Sequence, residues 1–230
     1  MISGARHDLA AALCRLGGAW AGFAEDLDHA CRRHGRAPTL KDLFFSIRDM
    51  PYDRPKHGPA PEAVIAEWRG TCSGKHIVLW HALAALEIPA RFFMASHRLN
   101  RDDPAVPPVL RPLIPSTGVW DVHNFLTADI AGHRTLIDLT WPLALATHGF
   151  PVTADWRAGR DFVLAVSPAE VREVPPDDHG VAEKKAWLEE LNGTAIGSRE
   201  AVIEGLAAFA RAVSPSRPRA EAIDEAIGRS

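Results

Sequence analysis

Cysteine is scarce in this sequence, which holds only Cys14, Cys31 and Cys72 among 230 residues. Three cysteines in a chain of this length exclude a closed disulfide framework, favour a reducing compartment and leave at least one thiol free. An excess of positive charge is absent too, because 26 Lys and Arg residues oppose 29 Asp and Glu residues, a formal charge of −3. Nucleic-acid binding through bulk positive charge is therefore excluded.

Long uninterrupted apolar runs are also missing. Asp8 and Arg15 bound the apolar stretch at 9–14, which is shorter than the roughly 7 to 15 residues of a signal-peptide core. His81 interrupts the apolar stretch at 77–85, and nothing approaches the roughly 18 to 20 residues of a membrane span. We therefore expect a soluble, cytoplasmic protein that does not associate with membranes.

Apolar side chains recur with helical spacing at both ends of the chain and with strand-like patterning in the middle. The first helix is predicted over 5–33, with a bend at Gly17 and Gly18, and Thr39 is expected to cap the second. Further helices are predicted over 41–47, 62–68, 75–86, 181–191, 199–213 and 220–227. Strands are predicted over 90–95, 119–130, 134–139 and 161–166.

This order of elements predicts an α+β fold in one domain over 1–230. The core, about 60–170, is an antiparallel sheet packed against the helix that begins near Cys72, and helical additions occupy 1–50 and 180–230. Five prolines, at 104, 107, 108, 112 and 115, make 97–118 a long loop that is either functional or mobile.

Cys72 stands among small residues at 70–74, where a helix is expected to open. The free amides and the dipole of a helix start favour a thiolate, which is a nucleophile at neutral pH. A buried cysteine that serves only as a small apolar side chain is the alternative.

A predicted hairpin brings a histidine and a carboxylate together. A loop over 129–132 pairs His123 directly with Asp138, whereas a two-residue turn of Ala131 and Gly132 pairs His123 with Thr140. Asp138 stays on the same face in both registers, because a shift of two residues keeps the side-chain parity. Packing of the Cys72 helix against that face predicts a Cys-His-Asp triad.

The motif Gly-Thr-Cys-Ser-Gly-Lys at 70–75, followed by Leu-Glu-Ile-Pro-Ala-Arg at 86–91, resembles the nucleophile helix and next strand of the transglutaminase-like superfamily of papain-related thiol enzymes. His-Asn-Phe at 123–125 and Ile-Asp-Leu-Thr-Trp-Pro at 137–142 resemble its histidine and aspartate strands. The resemblance covers about 68–142. It implies a central nucleophile-bearing helix, with Cys72 as nucleophile, His123 as general base and acid, and Asp138 as the orienting carboxylate.

Other residues near these motifs are candidates for supporting roles. Ser73 and the Cys72 amide are candidate oxyanion donors, and the Lys75 ammonium, one helical turn from Cys72, is a candidate for lowering the thiol pKa. His76 is a weaker alternative as the base, and it departs from the small residue common in the superfamily. Three residues are candidates for the substrate cleft: Trp120, Asn124 and Trp141.

Two functions follow from this reading. The first is an acyl-transfer enzyme that attacks an amide, thioester or ester of a peptide, protein or small acyl donor through a cysteinyl intermediate, as a protease, amidase or transglutaminase-type transferase. The second is a catalytically inactive binding or scaffold module for a peptide or protein partner. We expect no cofactor and no metal, because Cys14 is remote from the ligand types His29, Cys31 and His34. The sequence leaves the oligomeric state open.

Overall fold

The computed structural model of the protein describes residues 8–103, 106–174 and 180–229. Residues 5–7 of the predicted first helix lie outside this part of the chain, as do residues 104 and 105 of the predicted proline-rich loop. No helix in the three described ranges combines the length and the apolar character needed to cross a bilayer.

In the described residues from 8 onward, five helices precede the sheet. They are α1 (Leu9–Cys14), α2 (Ala19–Arg33), α3 (Leu40–Arg48), α4 (Pro61–Glu67) and α5 (Cys72–Ala85). The predicted bend is a full break between α1 and α2, where Gly17 and Gly18 have φ of 74° and 52°. Thr39 caps α3 through a reciprocal bond pair with Asp42, as predicted. Helix α5 begins three residues before the predicted start, so Cys72 is its first residue.

Four antiparallel strands form one sheet in the order β3-β2-β1-β4. They are β1 (Ala90–Leu99), β2 (Val119–Ile130), β3 (His133–Ile137) and β4 (Glu170–Val174). The expectation of a mixed helix and strand fold with an antiparallel sheet is confirmed.

The strand predicted at 161–166 is wrong, and the fourth strand lies later in the chain. This segment joins no strand ladder. Its amides bond instead to separate acceptors, with Phe162 donating to the Leu136 carbonyl at 2.9 Å and Ala165 donating to the Asp138 carboxylate at 2.8 Å.

The β2–β3 hairpin follows the two-residue register. Ile130 pairs with His133 and Asp129 with Arg134, so direct pairing of His123 with Asp138 through a four-residue loop is wrong. Both turn residues have positive φ, 52° at Ala131 and 81° at Gly132, as in the type I′ turn that matches the twist of paired strands. Asp138 follows the last residue of β3 and lies diagonally from His123.

The remaining helices are α6 (Val181–Asn192), α7 (Ile196–Val213) and α8 (Arg219–Gly228). Short 3₁₀ helices occupy Pro108–Leu113, Leu143–His148 and Gly193–Ala195. The main apolar core joins the sheet to helices from both ends of the chain, and a second cluster joins α7 to the segment 106–114. Contacts of α5, α6 and α7 with β2 bring the three helices to one strand.

Candidate active site

Cys72 occupies the first position of α5 and is 7% exposed. The preceding residue, Thr71, has an extended backbone, and its side chain accepts no hydrogen bond from the first amides of the helix. Small residues are needed here, because a Cβ on Gly74 would lie 3.0 Å from a methyl group of Val64 in α4. The local sequence therefore places a thiol at a close-packed helix start whose dipole favours an anion.

His123 on β2 is bonded to Asp138 and lines the same cavity as Cys72. The Nε2 atom of His123 lies 2.7 Å from Oδ2 of Asp138, which leaves Nδ1 as the ring nitrogen that Asp138 does not engage. Asp138 also accepts from the Thr140 hydroxyl at 2.7 Å and from the amides of Thr140 and Ala165. The structure thus bonds His123 to Asp138 and brings Cys72 to the same cavity as His123.

The buried charges of Cys72, His123 and Asp138 favour an ion pair. Burial raises the pKa of Cys72, but the Lys184 ammonium and the His123 imidazolium outweigh it and lower that pKa to about 6. Burial lowers the pKa of His123, but the Asp138 carboxylate more than compensates and raises it to about 10. Burial also opposes ionisation of Asp138, yet His123 holds the pKa of this carboxyl far below its usual range. Between these values the site holds a thiolate and an imidazolium.

Lys184, in the first turns of α6, is a residue that the sequence reasoning missed. Its Nζ lies 3.6 Å from the Cys72 sulfur, 2.9 Å from the Ser73 hydroxyl and 2.7 Å from Oδ1 of Asn124. It is 112 positions from Cys72 in a helix whose polar face carries other charges, so no local pattern distinguishes it.

The ammonium of Lys75 bonds to two main-chain carbonyls and not to the thiol. It is fully buried and donates to the carbonyls of Arg48 at 2.7 Å and Thr140 at 3.0 Å. Burial lowers the pKa of Lys75 to about 7. The cation in contact with the Cys72 sulfur is therefore that of Lys184, and Lys75 ties α5 to the end of α3 and to the segment after Asp138.

His76 is held by two main-chain groups. Its Nδ1 lies 2.7 Å from the carbonyl oxygen of Cys72, and its Nε2 accepts from the amide of Leu139 at 3.0 Å, so Nδ1 carries the proton. Burial lowers the pKa of His76 to about 4, which keeps the ring neutral. Both nitrogens are occupied away from the thiol, an arrangement that suits a positioning role better than that of the base.

Ser73 and Asn124 contact each other beside Cys72. The Ser73 hydroxyl donates to Oδ1 of Asn124 at 2.8 Å and lies 4.0 Å from the Cys72 sulfur. Its single proton is thus engaged, so the Cys72 amide is the stronger of the two candidate oxyanion donors.

A cavity of about 320 Å³ opens at Cys72 and His123. Trp141 and Tyr52 line it, whereas Trp120 packs under the Arg98 guanidinium, 5.8 Å from the ring centre, and is not among the lining residues. Asp121 lines the cavity as well, and its carboxylate pairs with Arg199 at 2.6 Å. Sequence reasoning missed this buried ion pair, which crosses 78 positions of the chain.

Within 8–103, 106–174 and 180–229, no three His, Cys, Asp or Glu side chains are grouped in a way that could hold a metal ion. A scan against protein-family models finds no match, and searches of the curated proteins and of the solved structures also find none.

Proposed function

We propose that this protein is a thiol-dependent acyl-transfer enzyme of the transglutaminase-like kind, with Cys72 as nucleophile, His123 as proton donor and acceptor, and Asp138 as the orienting carboxylate. The observation that carries the proposal is the His123–Asp138 hydrogen bond of 2.7 Å beside a cavity that His123 shares with Cys72, the first residue of α5. Within this proposal α5 is the central nucleophile-bearing helix, about 60–170 is the catalytic core, and the helices before 50 and after 180 are additions.

The reaction begins from the thiolate and imidazolium. The Cys72 sulfur attacks the carbonyl carbon of an amide, thioester or ester, and a carbon–sulfur bond forms as the carbonyl oxygen takes the negative charge. The Cys72 amide at the start of α5 is positioned to donate to that oxyanion. Collapse of the intermediate breaks the bond to the leaving group, which takes the proton from His123 and departs.

The second half returns the enzyme to its starting state. Neutral His123 accepts a proton from water or an amine as that nucleophile attacks the thioester carbonyl, and the thiolate leaves. Water as the second nucleophile gives a hydrolase and an amine gives a transferase. Asp138 stabilises the imidazolium at both stages, because its carboxylate remains bonded to Nε2.

The test measures the reactivity of each cysteine against pH. Iodoacetamide labelling followed by peptide mass mapping gives separate rates for Cys72 and for Cys14, which is exposed and serves as the internal reference. We expect a labelling midpoint at Cys72 of about 6, well below the value of about 8.5 of an ordinary thiol. Cys72→Ala should remove the fast-labelling peptide and leave Cys14 labelling unchanged.

Turnover provides the second readout. Exposure of the protein to a library of amide, ester and thioester donors should yield an acyl adduct detectable by intact mass in the wild type but not in Cys72→Ala. An ordinary midpoint at Cys72 and no adduct from any donor would overturn the enzyme proposal. Full partner binding by Cys72→Ser in that case would indicate the binding module instead.

A further inference from the structure

The cavity beside Cys72 has a largely apolar lining into which a cluster of reactive and charged groups is set, and Arg98, Asp103 and Ser167 are further polar residues of that lining. Cys72, His97, Asp121 and His123 form the cluster. The apolar wall includes Leu99, Leu110, Trp141, Phe150, Val202 and Leu206. The reactive groups thus stand where a polar acyl carbonyl would meet the beginning of an apolar chain.

The charge of this cluster is internally balanced. The Oδ1 atom of Asp121 accepts two bonds from Arg199, at 3.0 and 2.6 Å, and its Oδ2 lies 3.7 Å from His97. A cationic substrate group is therefore not needed to neutralise Asp121. The neighbouring charges leave the apolar wall as the main surface for recognition.

A second cavity that also borders the thiol has a different lining. This space of about 220 Å³ is lined by charged side chains, including those of Arg54, Lys184 and Arg199. An apolar group would desolvate these cations without replacing their hydrogen bonds. The two halves of a substrate attached to the carbonyl carbon are therefore distinguished, with the apolar half on the side of the larger cavity.

The apolar wall is built partly by residues outside the range 68–142 that resembles thiol enzymes, namely Phe150, Val202 and Leu206. Leu99 and Leu110 belong to the end of β1 and the proline-rich segment, while Val202 and Leu206 belong to α7. The second apolar cluster holds α7 against the segment 106–114. Through this packing, α7 forms part of the cavity wall beside Cys72.

We propose that this cavity binds the acyl part of the substrate, that this acyl part is apolar, and that residues 106–114 and α7 set its length. The inference rests on the proposed acyl-transfer function. A cavity of about 150 Å³ holds the six carbons of benzene, so 320 Å³ has room in proportion for at most about thirteen carbons, and the volume beside the polar groups shortens the apolar chain to roughly ten. Acyl donors from about six to ten carbons are the expected substrate class.

The experiment compares 4-nitrophenyl esters of straight-chain acids from acetyl to hexadecanoyl. We expect kcat/KM to rise about fourfold for each added methylene, equivalent to about 0.8 kcal/mol, until the cavity is filled, and then to fall. Val202→Phe should move the optimum to shorter chains and Leu110→Ala to longer ones. Ala201→Phe, at the exposed neighbouring position on α7, is the matched control and should leave the optimum unchanged.

Binding to Cys72→Ala separates this inference from the proposed function. Titration calorimetry with acetamide, hexanamide and decanamide should give affinities that rise with chain length, and Val202→Phe in the same background should abolish the rise. Affinity independent of chain length, together with fast alkylation of wild-type Cys72, would overturn the acyl cavity and leave the thiol enzyme standing. Rising affinity with an ordinary, unreactive Cys72 would overturn the enzyme and therefore the acyl assignment, while retaining an apolar ligand site.

Discussion

Replacement of Lys184 by Met tests the electrostatic basis of the candidate site most directly. The Lys184 Nζ lies 3.6 Å from the Cys72 sulfur, so Coulomb's law gives an attraction of about 1 kcal/mol in water and about 4.6 kcal/mol at an effective dielectric constant of about 20. Divided by about 1.36 kcal/mol per pH unit, this range is about one to three pH units. We therefore expect Lys184→Met to raise the pKa of Cys72 from about 6 to between about 7 and about 9.

The assay is the rate of iodoacetamide labelling at Cys72 from about pH 4 to about pH 10, measured on the Cys72 peptide. Lys184→Arg keeps the charge and should retain most of the low midpoint. Lys185→Met removes the same charge from the adjacent, exposed position and should have little effect. An unchanged midpoint in Lys184→Met, or equal effects of the two Met variants, would refute the assignment of the ammonium as the main stabilising cation.

Three other substitutions address stability, each measured by urea unfolding. Burial lowers the pKa of His76 to about 4, so the unfolded chain binds a proton at this residue before the folded chain does as the pH falls. The stability that neutral His76 contributes is therefore intact above about pH 6.5 and is lost towards pH 4. Over that window the free energy of unfolding should fall by about 3 kcal/mol more in the wild type than in His76→Gln. An equal loss in both proteins would contradict this. Arg199→Met leaves the Asp121 carboxylate without its main partner and should cost about 3 to 5 kcal/mol, with Arg199→Met/Asp121→Asn recovering much of it; no recovery would point to lost packing instead. Ala131→Asn should stabilise the protein by about 1 kcal/mol, because Ala131 adopts a positive φ that Asn tolerates better, and a destabilised variant would count against the type I′ turn as a strained position.

Local patterns in the sequence were sufficient for most helices and for three of the four strands. The Thr39 cap and the breaking glycines at 17 and 18 act through neighbouring atoms, so their effects are readable from short segments. Short segments of the sequence did not decide between the two registers of the β2–β3 hairpin. A left-handed Ala131 weakens the usual turn signal, and only the pairing of whole strands compensates for its strain.

Some residues of the candidate site could likewise be predicted from local sequence, and others could not. Cys72, His123 and Asp138 are close to short motifs, and parity kept Asp138 within reach of His123 in either register. Lys184 and the Asp121–Arg199 ion pair depend on how α6 and α7 fold back against β2, which no local pattern contains. Lys75 was predicted to act on the thiol because it lies one helical turn from Cys72. Helical spacing predicts which residues share a face of the helix, but it does not predict which acceptors a long side chain binds.

The bonds of His76 have a consequence for thermal motion at the site. One imidazole ring holds the carbonyl of Cys72 on one side and the amide of Leu139, the neighbour of Asp138, on the other. The width of a rigid aromatic ring thus fixes the distance between the start of α5 and the main chain next to Asp138. Any fluctuation that pulls these two segments apart must break a buried hydrogen bond on one edge of that ring, which adds about 1 to 3 kcal/mol to the free energy of local opening here.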